Sequence, residues 1–148
     1  MKLAHAIAGL QVVLGACGGH HHGAARTDDP RHLYVEIAAE GSHDDALHDG
    51  AARGLTGMSF VRPADHNGDV ELQVEVSRMD TTGNTTVCSV KILVLRLPSH
   101  DLLGIADGSA HVRGTNGTAR DDCAAGVSAT LVRGKVRTLL RRRLDDKR

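Results

Sequence analysis

The chain has 148 residues with 18 basic and 18 acidic side chains, so its formal charge is zero. That length is one domain's worth, and a neutral field does not gather nucleic acid. Tyr34 and Phe60 are its only aromatic residues, which argues against a base-stacking platform and a ring-lined carbohydrate groove, and leaves the core to Val, Leu, Ile and Ala.

The chain opens on Met1-Lys2, a short positive start, followed by an apolar run from Leu3 to Ala16 broken only by polar His5 and Gln11. The run has the length of a signal-peptide core and is too short to span a ~30 Å hydrocarbon layer as a helix. It ends Leu14-Gly15-Ala16-Cys17. This tetrad resembles the bacterial lipobox, in which a Leu, two small residues and a Cys meet the lipoprotein signal peptidase. The resemblance implies diacylglycerol on the Cys17 sulfur, cleavage before Cys17 and acylation of the new amine, a palmitate-type anchor. Several acyl chains hold a protein firmly where one does so marginally. By the sorting habit of such lipoproteins, Gly18 implies the outer membrane, with the domain facing the periplasm. Residues 1–16 are then a signal peptide, 17–31 the lipidated cysteine and a tether, and 32–148 one domain.

The tether reads GGHHHGAARTDDPR, rich in Gly and polar residues and without periodicity, as a flexible linker does. His20, His21 and His22 are donors that suit zinc, copper or nickel, although adjacent histidines lack the partners that orient metal ligands. With Cys17 assigned to lipid, Cys88 and Cys123 remain, and an even pair in an exported protein reads as a disulfide. The alternative is two buried thiols. Closing a loop of roughly 35 residues would stabilise the domain by about 3–4 kcal/mol.

Residues 32–39 alternate as a half-buried strand, with Leu33, Val35, Ile37 and Ala39 on one side. A helix is expected from Ser42, with Asp45 as a capping-box-like partner, a buried stripe of Leu47, Ala51 and Leu55, and Gly57 as its stop. Ser59 to Arg62 is short and extended, and Pro63 to Gly68 is a loop. Asp69 to Asp80 alternates, with Val70, Leu72, Val74 and Val76 inward. Thr85 to Leu97 follows the Thr81–Asn84 turn and is apolar on both faces near Ile92 to Leu95, as a strand inside a sheet is. Leu102 to Val112 has one small face: Leu102, Gly104, Ala106, Gly108, Ala110 and Val112. A final helix runs from about Ala119 to Leu144, with small residues at Gly126, Ala129 and Gly134 that would allow close approach to that face. Cys88 then reaches Cys123 across the sheet–helix contact.

The expected fold is therefore α+β: an antiparallel sheet of about four strands in the order β-α-β-β-β-α, with two helices on one face. The hairpin Val94-Leu95-Arg96-Leu97-Pro98 with Leu102-Leu103-Gly104, followed by the closing helix, is similar to two periplasmic families. These are the N-terminal domain of the Tol-system β-propeller protein and the lipoproteins that activate penicillin-binding proteins. The likeness is one of topology and transfers no function.

No phosphate loop, HExxH or GxSxG occurs. His43 and His48 are five apart, off the i,i+4 spacing of paired helix ligands. Asp65-His66-Asn67-Gly68-Asp69 lacks the spacing and closing Glu of a calcium loop. Ser89, Asp107 and His111 are a triple that any strand-rich domain offers. No catalytic set is assigned and no cofactor is called for. The uneven charge is at the C-terminus, where Arg133, Arg137, Arg141 and Arg142 are candidates for contact with an anionic surface, beside the plainer reading of cations at a helix C-terminus. The expectation is a non-enzymatic binding or accessory module, anchored to the membrane and open to an envelope protein partner, with no nucleic acid. The alternative is a periplasmic metal-binding protein using its histidines.

Overall fold

The computed structural model of the chain describes residues 29–148. Cys17, the lipobox and His20 to His22 lie outside the described residues. The elements are β1 (Leu33–Glu40), α1 (Asp44–Leu55), β2 (Val61–Pro63), β3 (Val70–Thr82), β4 (Thr85–Arg96), β5 (Asp101–Arg113), α2 (Gly117–Leu131), a π-helical turn (Val132–Val136) and α3 (Arg137–Lys147).

The sheet has five strands in the order β2-β1-β3-β4-β5. β3, β4 and β5 are an antiparallel meander, as their alternation implies. β1, however, pairs parallel with both β2 and β3, so the sheet is mixed rather than antiparallel. The cause is α1. A helix after β1 returns the chain to the end where β1 began, so the next strand runs the same way. The loop at 64–69 then carries the chain from one side of β1 to the other. It is pinned on both sides, by Ala64 N–H donating to the Val35 carbonyl (2.9 Å) and Asp69 N–H donating to that of Tyr34 (2.7 Å).

Both helical layers cover one face, where the alternating residues of the sheet meet them. Leu33, Val35, Val70, Leu72, Val74, Val90, Ile92 and Val94 are all at most 1% exposed. Leu47, Ala51 and Leu55 form the buried stripe of α1, and Gly57 follows it with φ +86°. The cap differs from expectation: His43 occupies the N-cap without a side-chain bond, and Ser42 and Asp45 make no capping box. Asn116 caps α2, its side-chain oxygen accepting from Ala119 N–H at 2.9 Å.

The last helix is continuous in direction but not uniform. Val132, Val136, Leu140 and Leu144 are all fully buried at a strict spacing of four. On a 3.6-residue helix that repeat drifts around the axis, and the wide π turn takes up part of the drift. The small strand face does meet this helix: a β-carbon on Gly104 would stand 2.7 Å from Leu139, and one on Gly108 would stand 3.0 Å from Leu131. The small helix residues named above do not serve that contact throughout, since Gly126 and Gly134 face open space. Close approach between the helices comes instead from Gly50 and Gly54 of α1.

Candidate functional site

Cys88 on β4 and Cys123 in α2 stand as a disulfide, with Cα atoms 6.1 Å apart and a sequence separation of 35. Both are buried. β4 brings Cys88 to the helix-facing side of the sheet, and the second turn of α2 brings Cys123 above it. The bond ties the sheet to the helical layer, a structural role.

The candidate triple does not assemble. The β4–β5 register sets Ser89 opposite Ser109, while Asp107 lies opposite Lys91 and His111 opposite Val87. Asp107 and His111 are thus four residues apart on one strand, about 13 Å, too far for an acid–base pair. His43 is engaged elsewhere: its Nδ1 lies 2.8 Å from Asp121 Oδ1, joining the start of α1 to the first turns of α2. Among the described residues no group of three His, Cys, Asp or Glu side chains stands ready to hold a metal ion.

Two grooves flank α1. One, of about 720 Å³, runs between α1 and α2 and is lined by Asp45, Asp49, Arg53, Thr56, Asp121 and Asp122. The other, of about 590 Å³, is apolar, with Ile37, Ala52, Leu55, Met58, Val61 and Pro63 beside the short edge strand β2.

Arg133, in the π turn, and Arg137, Arg141 and Arg142, in α3, are all exposed. The Arg141 guanidinium carbon lies 4.8 Å from the centre of the Phe60 ring, a cation–π distance. Lys135 is committed to the sheet, donating to the Asp107 carbonyl at 2.8 Å. At the end of α3, Lys147 pairs with Asp69 at 3.1 Å, both side chains largely buried. Asp69 also accepts the Tyr34 N–H at 2.8 Å. Where the chain enters the domain, Arg31 hydrogen-bonds Asp29 and holds its carboxyl well below the usual carboxylate range.

Among the described residues the large apolar side chains most exposed on the open face gather at one corner. There Leu93 and Leu95 of β4 meet Ile105 and Leu102 of β5, and Ile105 and Leu102 are 52% and 56% exposed. The small-face alternation places Leu102 inward, and the structure turns it outward. A register shift between Val94 and Leu95 inserts one residue into β5, so Leu103 packs toward the core instead.

No family model matches the chain, and no curated protein does. Solved structures do match. A Xanthomonas campestris protein of family DUF330 superposes with a TM-score of 0.53 at 13% identity, over 79% of this chain and 89% of that one. The PelC dodecamer subunit of Paraburkholderia phytofirmans gives 0.49 at 18% identity, over 74% and 89%. The lipoprotein GNA1162 of Neisseria meningitidis gives 0.42 at 14% identity, over 74% and 99%. The first likeness shows the fold.

Proposed function

We propose that the chain is a lipid-anchored protein of the cell envelope, held at Cys17, whose domain is a non-enzymatic binding or accessory module. The observation that carries this reading is the use of the cysteines. Cys88 and Cys123 pair with each other, as chains in oxidising compartments do, which leaves Cys17 as the odd cysteine, at the end of Leu14-Gly15-Ala16. Lipoproteins among the solved structures of similar shape fit the same reading. An outer-membrane address, with the domain in the periplasm, is the finer form of the proposal and rests on Gly18. A protein partner in the envelope suits a domain with two open grooves and an uncovered sheet face.

The test is metabolic labelling with a clickable fatty acid in a bacterial host, comparing the natural chain with Cys17→Ser, followed by membrane fractionation. Label and membrane association that both depend on Cys17 are the expected result. A soluble, unlabelled protein overturns the proposal.

A further inference from the structure

Charged side chains are unevenly placed along the length of the domain. Strand register fixes the two ends. Val35, Val70, Arg96 and Asp101 form one cross-strand row, at the end where β1 begins. Thr82, Thr85 and Arg113 form the row at the other end. α3 finishes at the entry end, as the Lys147–Asp69 pair shows. That end as a whole carries Arg31, Arg62, Arg96, Arg141, Arg142, Arg143, Lys147 and Arg148 against Asp29, Asp65, Asp69, Asp101, Asp145 and Asp146. The far end carries Glu40, Asp44, Asp45, Asp80, Asp121 and Asp122 against Arg78, Arg113 and Arg120.

A helix dipole accounts for cations in the last turn. It does not account for the apolar side chains at the same end. Leu102 is more than half exposed, and Pro98 is exposed in the turn beside it. Arg142 and Arg148 make no ion pair or hydrogen bond through their side chains among the described residues. Cationic and apolar groups brought together at one end are the composition that an anionic lipid surface selects.

From this placement we infer that Arg142, Arg148, Pro98 and Leu102 form a docking end for an anionic lipid surface. Chain length supports the orientation. Twelve residue-to-residue steps lead from Cys17 to Asp29, a reach of at most about 43 Å fully extended. A strand of 13 residues such as β5 is itself about 43 Å long. If Cys17 is in the membrane, the acidic end reaches the bilayer only with the tether drawn out along the whole domain, whereas the basic end starts beside it. In orientation, therefore, the inference rests on the anchor proposed above.

The experiment uses the chain from Gly18 onward, so that the surface is read without acyl chains and without the apolar run of residues 3–16. Flotation is measured with vesicles of phosphatidylethanolamine and phosphatidylglycerol and with vesicles of phosphatidylcholine. The expected result is binding that requires phosphatidylglycerol. A basic residue near an anionic surface is worth about fivefold in affinity, so Arg142→Glu with Arg148→Glu should weaken binding at least ~25-fold. Leu102→Ser should weaken it several-fold, and Asp44→Asn at the far end should leave it unchanged. Circular dichroism confirms that each variant is folded. Equal binding to both vesicle types, no binding, or indifference to the arginine reversals overturns the inference. So does sedimentation in which Leu102→Ser dissociates a dimer while vesicle binding is unaltered, because the patch would then belong to a second copy. Failure of fatty-acid labelling at Cys17 would sink the anchor and leave the vesicle result standing, so the two readings fail separately.

Discussion

Gly50 of α1 faces the backbone of Ala125 in α2 so closely that a β-carbon on it would lie 2.3 Å from the Ala125 carbonyl oxygen. That oxygen is fixed in a helix and cannot swing aside as a flexible side chain would. Gly50→Ala is therefore expected to push α1 off α2 and to cost at least the 1–3 kcal/mol typical of overpacking. Gly126→Ala, on the solvent side of α2 with open space before it, should instead gain roughly 0.5–1 kcal/mol. Urea denaturation of both variants measures the contrast, and a tolerated Gly50→Ala would mean the helices are further apart than described.

The disulfide closes a loop of 35 residues, for which chain entropy predicts about 3–4 kcal/mol. A Cys88→Ala, Cys123→Ala double variant should melt at a lower temperature than the natural chain. A reducing agent should lower the melting temperature of the natural chain and leave that of the double variant unmoved. A natural chain indifferent to reductant would remove the disulfide from the stability argument.

Asp69 joins three parts of the chain. Its carboxylate accepts the Tyr34 N–H at the start of β1 and the Lys147 ammonium at the end of α3, with 15% of its side chain exposed. Asp69→Ala removes the carboxylate that accepts the Tyr34 N–H and pairs with the Lys147 ammonium, and should cost about 1–3 kcal/mol. Asp69→Asn keeps one oxygen and should lose less. Hydrogen exchange of the α3 amides should report the loosening first, because Lys147 is held at that helix's last turn. Unchanged protection of α3 in both variants would refute the role.

Ser128 is fully buried, and its hydroxyl has no hydrogen-bond partner among the described residues. Ser128→Ala removes a desolvated polar atom while adding no volume, so it should be neutral or stabilising by about 1 kcal/mol. A clear loss of stability would show that the hydroxyl is satisfied in solution, by water or by the helix itself.

Long alternating runs reveal themselves in sequence because a sheet covered on one face repeats every two residues. β3 and β4 each run for a dozen residues or more, and their inward faces follow from that rule. Cys88 inherits its direction from Val90 and Ile92, which is why its link to the last helix could be read before any coordinates. Ser59 to Arg62 reads as extended, but so short a run shows no period and gives no sign that β2 joins the sheet. Without β2, nothing in the pattern of β1 says that both its neighbours run parallel to it, since pairing direction is set by the crossover between strands and not by the strands. Leu102 was misassigned because a bulge changes facing direction without changing residue type. The Gly50–Ala125 contact left only a glycine in a helix as its trace. The arginines of α3 were visible, but the end of the sheet they adjoin could be known only from the path of the chain.

The order in which the parts occur along the chain has a consequence for synthesis. β1 lies between β2 and β3, yet the layer that closes over them ends in Leu140 and Leu144, both fully buried near the last residue. Because ribosomes work from the N-terminus, a fragment that stops before Leu140 leaves part of the sheet bare and lacks the packing those residues complete. In a chain that threads a narrow pore before folding, such an arrangement would delay locking until Leu140 and Leu144 have passed through.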